Sequence, residues 1–275
     1  MKKVDEDVIK GFGDEWSRFD QKAVPEYELK AIFKTYFSIF DWDTLPTDPI
    51  GFDLGCGTGR WANFVSKKVR ILHCIDPSSA IEVAKNNLAL CDNIVFHKVD
   101  VFNIPIANET MDFGYSLGVL HHISDTQGAL RECVQKLKKG SPLLLYLYYS
   151  FENRPILFKL IWRLSDIIRL FVSKCPMPLR YIVSQILAII IYWPLSLLCR
   201  IVTSLGFSAD QIPLSMYKDK SFYTMRTDAL DRFGTKTEKR FSKKEIQKMM
   251  NDAGLENIKF NDSEPYWCAV GTRKF

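Results

Sequence analysis

Residues 51–59 read Gly-Phe-Asp-Leu-Gly-Cys-Gly-Thr-Gly, an apolar lead-in ending in three alternate glycines, Gly55, Gly57 and Gly59, just before a helical pattern begins. No other stretch narrows the choice of fold as much. Glycines at this density let the backbone turn sharply and approach a ligand more closely than any Cβ permits. A dinucleotide fingerprint needs the spacing G-x-G-x-x-G. Here position 60 is Arg60, and the third glycine comes one residue early. Asp53, just ahead of the loop, disfavours a pyrophosphate and suits a cationic amino-acid ligand.

Three more apolar runs follow. The first, 70–75, ends at Asp76-Pro77. An acid about 20 residues past the first glycine, at the tip of a second strand, is placed to hydrogen-bond a ribose diol. Taken alone, Asp76 serves NAD and a sulfonium nucleoside equally. The second run, 93–98, leads to Val99-Asp100-Val101, and the third, 111–117, leads to Gly118-Val119-Leu120-His121-His122. Together, the D-x-G-x-G-x-G loop and the D-x7-L-H-H segment beginning at Asp112 resemble the class I S-adenosylmethionine (SAM)-dependent methyltransferases. Within that family the pattern is similar to the small-molecule ubiquinone and menaquinone C-/O-methyltransferases.

The resemblance implies a fold and a site. The fold is α/β, a doubly wound, seven-stranded, mostly parallel Rossmann-like sheet, with a helical insertion after the fifth strand. SAM is held by Asp53, Gly55, Cys56, Gly57, Thr58 and Gly59, with Asp76 and Pro77 at the ribose and Asp100 and Val101 at the adenine. Leu117 belongs to the segment closing the pocket beneath the methionine part, and Trp16 belongs to an N-terminal lid. An equally weighted reading makes Trp16 and Phe19 ordinary core contacts. The product is S-adenosylhomocysteine, and no metal is implied. His121 and His122 follow the fourth strand, at the edge where open α/β sheets place ligands. Imidazole titrates near neutral pH, so His121 is the candidate base for an acceptor proton; the alternative is a structural histidine. His73 and His97 fall inside strand patterns and read as core or edge residues.

The expected organisation is a lid over 1–45, a SAM-binding core over 46–150, an insertion or substrate cap over 151–240, and a closing helix with two strands over 241–275. Strands are expected near 49–54, 70–75, 94–98, 111–117, 141–149, 257–260 and 266–272, and helices near 58–67, 78–90 and 125–138. Ser78 and Ser79 are candidate N-caps.

Charge is unevenly distributed. Seven Lys and Arg face a single Asp between residues 153 and 208, so this segment carries +6 of the net +5 and the rest is near −1. That argues against a general nucleic-acid surface, and no nucleic acid is expected as a partner. The seven cysteines are scattered, without C-x-x-C or Cys/His clusters, which fits reduced thiols in a cytoplasm. Met1–Lys10 is charged, with no apolar signal core.

Residues 156–171 form an amphipathic helical pattern, and 181–199 contain no charge. The closing strands must rejoin the sheet, so a single membrane crossing is excluded. A second crossing through the charged 156–171 helix conflicts with its composition. Two compatible readings remain for the insertion. One is a helical cap with its apolar faces buried against the core; the other is peripheral association of 153–208 with an anionic membrane, at its inner face.

Tyr223, Arg226 and Arg232 could hold an anionic group, and Tyr266 and Trp267 could line the acceptor pocket; internal ion pairing and ordinary packing are the alternatives. The fourth strand ends in Ser-Leu-Gly-Val-Leu and lacks the N/D-P-P-Y signature of base-amine methylation. Neither a Pro-Cys nucleophile nor an acidic magnesium triad is present. The expected acceptor is therefore a small or lipid-linked sugar, quinone or phenolic molecule, with O-methylation favoured. A non-catalytic SAM-binding or membrane-associated adaptor and an NAD-type oxidoreductase are the rival readings. Oligomeric state leaves no mark in the sequence.

Overall fold

Seven strands form one sheet in the order β3-β2-β1-β4-β5-β7-β6. They are β1 (Ile50–Leu54), β2 (Ile71–Ile75), β3 (Ile94–His97), β4 (Phe113–Leu117), β5 (Pro142–Tyr146), β6 (Leu255–Phe260) and β7 (Ala269–Arg273). All pairings are parallel except those of β7, which runs antiparallel to both β5 and β6. This is the doubly wound arrangement expected from sequence. The computed structural model describes residues 5–210 and 212–274, so the first four residues of the expected lid and of the charged N-terminal stretch lie outside the described residues.

The helices are α1 (Glu6–Arg18), α2 (Glu26–Tyr36), α3 (Ala62–Val65), α4 (Ala80–Asn87), α5 (Thr126–Lys136), α6 (Ile156–Val172), α7 (Met177–Leu187), α8 (Trp193–Ser204), α9 (Phe222–Gly234) and α10 (Lys243–Asp252). A π-helical turn, Ala188–Tyr192, joins α7 to α8. The chain divides into two units. One comprises residues up to Gln21, Leu29–Ser150 and Thr237–Phe275; the other comprises Lys22–Glu28 and Phe151–Lys236.

In the sheet unit, β1, β4 and β5 are buried along nearly their whole length. Parallel strands covered on both faces read as continuous apolar runs, which is why they were visible in the sequence. Leu72, Phe113, Tyr115 and Leu144 lie in the core, where Phe33 of α2 and Phe37 just after it join them. Asp112 fixes the start of the sheet, accepting a hydrogen bond from Ile50 N (2.9 Å) and an ion pair from Lys138 (2.7 Å). The boundaries differ from expectation in places. β5 ends at Tyr146 rather than 149, with only an isolated bridge from Tyr149 to Phe241 beyond it. The helix expected over 58–67 contracts to α3 and a short 3₁₀ turn, because the glycine loop takes up its first residues. Ser79 makes no capping bond; Ser78 Oγ accepts from Ala80 N instead (3.2 Å).

The second unit is helical, with a core that includes Leu187, Ala188, Tyr192, Met225, Ala229 and Phe233. Residues 222–234, part of the mixed aromatic and basic stretch, fold as α9, capped by Ser221, whose hydroxyl accepts from Thr224 N. Glu28 is buried here and accepts from Thr224 Oγ1 (2.6 Å) and Ser221 N (3.0 Å).

Candidate active site

Three acids lie at or near the ends of β1, β2 and β3: Asp53, Asp76 and Asp100. Gly55 has φ +75°, and an added Cβ would lie 2.3 Å from Val119 Cγ2, so the loop cannot pass there with a side chain. Gly57 has φ +54° and its nearest neighbour would be Trp16 Nε1 at 3.6 Å, so the space above it is lined by an indole of α1 and crowded by nothing. The Arg60 guanidinium lies over Trp16 (5.4 Å) and Trp61 (4.5 Å), cation–π contacts that tie α1 to the loop.

Asp76 accepts from Gly57 N through Oδ2 (3.0 Å) and from Ser78 N (2.8 Å) and Oγ (2.6 Å) through Oδ1. It therefore pins the glycine loop to the turn after β2. Asp100 caps the turn after β3, accepting from Phe102 N (2.8 Å) and from the Asn103 amide (3.0 Å), with Val101 buried beside it. Asp53 differs from both. It is buried, and its Oδ2 has no hydrogen-bond partner among the described residues. Burial pushes its pKa up to about 8; the nearby Asp76 adds to the rise, while Tyr115 and Arg60 offset part of it. Thr58 Oγ1 is likewise buried and unpartnered among the described residues. Cys56, hydrogen-bonded to Cys74 and buried, has its thiol held well above the usual range. Leu117 closes β4, and Pro77 is partly buried after Asp76.

A second cluster stands at the ends of β4 and β5. His121 sits in the 3₁₀ turn Leu120–His122, wholly buried, and neither ring nitrogen has a hydrogen-bond partner among the described residues. Burial, with help from His122 and Arg240, holds its pKa well below the ordinary imidazole value, so the ring is neutral at physiological pH. It stacks on Tyr148 (centroids 3.8 Å, interplanar angle 28°) and touches His122 at 4.0 Å. His122 Nδ1 donates to Thr237 O (2.6 Å), and its ring meets Phe12 of α1 edge-on at 4.8 Å. Tyr146 and Tyr36 extend this aromatic wall, with Tyr148–Tyr146 at 6.0 Å and Tyr146–Tyr36 at 5.1 Å. Arg240 lies over Tyr148 at 5.0 Å and pairs with Glu238 at 2.7 Å.

Sequence reasoning missed Tyr146, Tyr148, Tyr36 and Arg240. For the first two a signal existed: Leu-Tyr-Leu-Tyr at the end of β5 alternates, and a period of two puts both tyrosines on one face. The five candidate acceptor residues fall in both units. Tyr266 lies against Tyr149 (5.4 Å) and Trp267 (5.0 Å) in the sheet unit. Tyr223, Arg226 and Arg232 belong to the helical unit, where Arg226 engages Gln185 and the Tyr181 hydroxyl (2.9 Å) and Arg232 engages Asp166 (3.4 Å). Among the described residues, no group of three His, Cys, Asp or Glu is arranged to hold a metal ion.

A family model described as "Methyltransferase domain" matches residues 52–145. The tRNA (carboxymethyluridine(34)-5-O)-methyltransferase of Saccharomyces cerevisiae is 31% identical over 113 residues, covering 38% of this chain and 37% of that protein. An O-methyltransferase of Pyrenophora dematioidea is 30% identical over 96 residues, covering 33% of this chain and 36% of that protein. The chain thus spans little more than a third of either relative's length. A solved structure from Methanococcus maripaludis, assigned as an S-adenosyl-L-methionine-dependent methyltransferase, superposes with TM-score 0.54 and 16% identity, covering 100% of this chain and 98% of that one. The yeast relative is named for action on a tRNA, and this overturns the expectation that nucleic acid is not a partner. The charge argument failed because net charge over a whole core does not report a local acceptor site. Residues 52–145 thus match a methyltransferase domain, within a chain whose seven-stranded sheet has the Rossmann-like methyltransferase fold.

Proposed function

We propose that the chain transfers the methyl group of SAM to a hydroxyl on a planar small or lipid-linked acceptor of quinone or phenolic type. The observation that carries this reading is His121, a buried neutral imidazole whose two nitrogens have no hydrogen-bond partner among the described residues, stacked on Tyr148 at the sheet edge.

The residues around the glycine loop fit SAM by their own chemistry. Among the described residues, Asp53 Oδ2 and Thr58 Oγ1 are buried without hydrogen-bond partners, and the space over Gly57 is one a Cβ would occupy. Asp53 pairs with the ligand's ammonium group, Asp76 turns its remaining lone pairs to the ribose, and Asp100 with Val101 takes the adenine. Gly55, Cys56 and Gly59 shape the loop, Pro77 and Leu117 line it, and Trp16 covers it. Bound there, SAM supplies an electrophilic methyl on a sulfonium. The protein's remaining tasks are alignment, water exclusion and proton removal. His121 takes the acceptor's hydroxyl proton on a ring nitrogen, and the tyrosine wall stacks against the acceptor ring. His122, tied to Thr237 O, orients the turn that carries His121.

A second reading, a nucleobase-borne acceptor, is favoured by the name of the yeast relative. Labelled SAM incubated with cell extract, followed by separate recovery of lipid, water-soluble and RNA fractions, distinguishes the two. Label in the lipid or small-molecule fraction supports the proposal; label in RNA alone supports the second reading. Binding of NAD(H) without SAM in calorimetry would overturn both.

A further inference from the structure

Two helical stretches after β5, α6 and Met177–Ser204, expose large aliphatic residues that a water-soluble domain would bury. Sequence reading of 156–171 as a cap requires its apolar face to be buried and its charges to face solvent. The aliphatic residues are found exposed and Arg169 buried, while Arg163 stays exposed. Leu157, Leu160, Leu164, Ile167 and Phe171 of α6 are exposed, Phe171 to 72%. The opposite side carries Arg169, itself only 5% exposed, which donates to Asp166 (2.6 Å) and to the carbonyls of Thr235 (3.0 Å) and Lys236 (3.2 Å). The same inversion runs along Met177–Ser204, a continuous helix of 28 residues with mean hydropathy 2.1, of which one third is buried in its most apolar stretch. Its buried positions include Ser184, Ala188, Ser196 and Cys199, all at 0–1% exposure. Ile182, Ile186, Ile190, Trp193, Leu197 and Ile201 face outward. Small and polar residues inward with large aliphatics outward is the pattern of helices whose surroundings are hydrocarbon. A water-soluble monomer rarely exposes so much contiguous apolar surface.

We propose that the outward faces of α6 and Met177–Ser204 are seated among the acyl chains of one leaflet of an anionic membrane. Charge argues for lipid over a protein partner: the 153–208 segment carries +6, and Arg154, Lys174, Arg180 and Arg200 flank the apolar stretches, where anionic headgroups would meet them. The uncharged run 181–199 is roughly 28 Å long at the α-helical rise, ample for insertion. The strands β6 and β7 rejoin the sheet that β5 leaves, so the chain enters and leaves the lipid on one side.

The test uses the full chain and vesicles of phosphatidylcholine with and without phosphatidylserine. Flotation with the vesicles is expected, stronger with phosphatidylserine and resistant to a high-salt wash once bound. Brominated acyl chains should quench tryptophan fluorescence, and Trp193→Phe should remove most of that quenching. The triple variant Ile186→Glu/Ile190→Glu/Leu197→Glu changes exposed positions only. It should lower the floated fraction about ten-fold while its circular dichroism and SAM binding stay unchanged. SAM binding reads the methyl-donor site separately, so loss of either proposal leaves the other standing. Retention of the wild-type chain in the bottom fraction, an undiminished flotation of the triple variant, or self-association that hides the aliphatic faces without vesicle binding would each overturn the inference.

Discussion

His121 lies face to face with Tyr148, ring centroids 3.8 Å apart, at the ends of two adjacent parallel strands. The stack fixes the imidazole plane without using either nitrogen, and neither has a hydrogen-bond partner among the described residues. Replacing His121 by Gln should lower kcat by roughly 10²–10³-fold, the scale of a general base, and leave SAM affinity within about two-fold. The pH profile gives the sharper reading. A base whose pKa is depressed stays deprotonated as pH falls through 6.5, so kcat should show no acid limb between pH 6 and 8 from this group. A wild-type profile falling steeply below pH 7, absent in His121→Gln, would contradict the neutral imidazole.

The same depressed pKa has a stability consequence. The unfolded chain protonates His121 near pH 6.5 and the folded chain does not, so the unfolded state binds more protons below that pH. The contribution is fully present above about 6.5 and is lost as pH falls toward the folded value. His121→Gln should therefore flatten the acid side of the Tm-versus-pH curve between pH 6.5 and 5, as measured by scanning calorimetry.

Asp53 gives a prediction of opposite sign. Its folded pKa is raised from 3.8 to about 8, so in the ligand-free protein near pH 7 it is mostly protonated. Pairing with the ammonium group of SAM would return it to the carboxylate, and binding at pH 7 should release about one proton. Calorimetry in buffers of different ionisation enthalpy measures this directly. Asp53→Asn should abolish the release and weaken SAM binding by about ten- to a hundred-fold. Without ligand, the unfolded chain releases this proton from about pH 4 while the folded chain holds it to about pH 8, so stability falls with rising pH across that window and levels off above it. The same variant should raise Tm progressively from pH 5 to pH 8, by several degrees at the upper end.

The parts of the candidate site and of the fold that are local in sequence were the legible ones. The glycine loop, the three acids and the paired histidines are local in sequence, and buried parallel strands announce themselves as unbroken apolar runs. Two things were not legible. α9 was hidden because Met225, Ala229 and Phe233, spaced on one helical face, are interleaved with Arg226, Asp228, Asp231 and Arg232, some of which pair inside the helical unit. And an amphipathic pattern reports two faces without saying which is inward: α6 has the same periodicity whether Leu164 or Arg169 is buried.

The glycines separate stability from binding. Gly55→Ala meets Val119 at 2.3 Å, within the backbone-adjacent part of a β-branched side chain that cannot swing away. It should cost about 2–3 kcal/mol, from overpacking plus the left-handed φ. Gly57→Ala meets only Trp16 at 3.6 Å, an ordinary contact, so it should cost about 1 kcal/mol, from backbone conformation alone. Yet its methyl enters the space assigned to SAM, and its affinity should fall the further of the two. Chemical denaturation and SAM titration of both variants check the crossing order. A Gly57→Ala protein with wild-type SAM affinity would remove the cofactor from this loop.

The interior charges of the helical unit give the last prediction. Asp166 Oδ1 serves two cations at once, Arg169 Nε at 2.6 Å and Arg232 Nη1 at 3.4 Å. Removing the acid leaves two partly buried guanidinium groups facing each other, whereas removing Arg169 leaves Asp166 still paired with Arg232. Breaking a buried ion pair from one side costs up to 3–5 kcal/mol, and the Arg232 guanidinium left behind, 14% exposed, regains some of that from water. Asp166→Ala should therefore destabilise by about 2–4 kcal/mol, and Arg169→Ala by about 1–2 kcal/mol less, although Arg169 is the more buried of the two. Arg169→Ala also strands the carbonyls of Thr235 and Lys236, which Arg169→Lys can partly recover. Denaturant unfolding of the three variants orders them, and a greater loss in Arg169→Ala than in Asp166→Ala would show that the carbonyl bonds, not the shared acid, hold α6 to the end of α9.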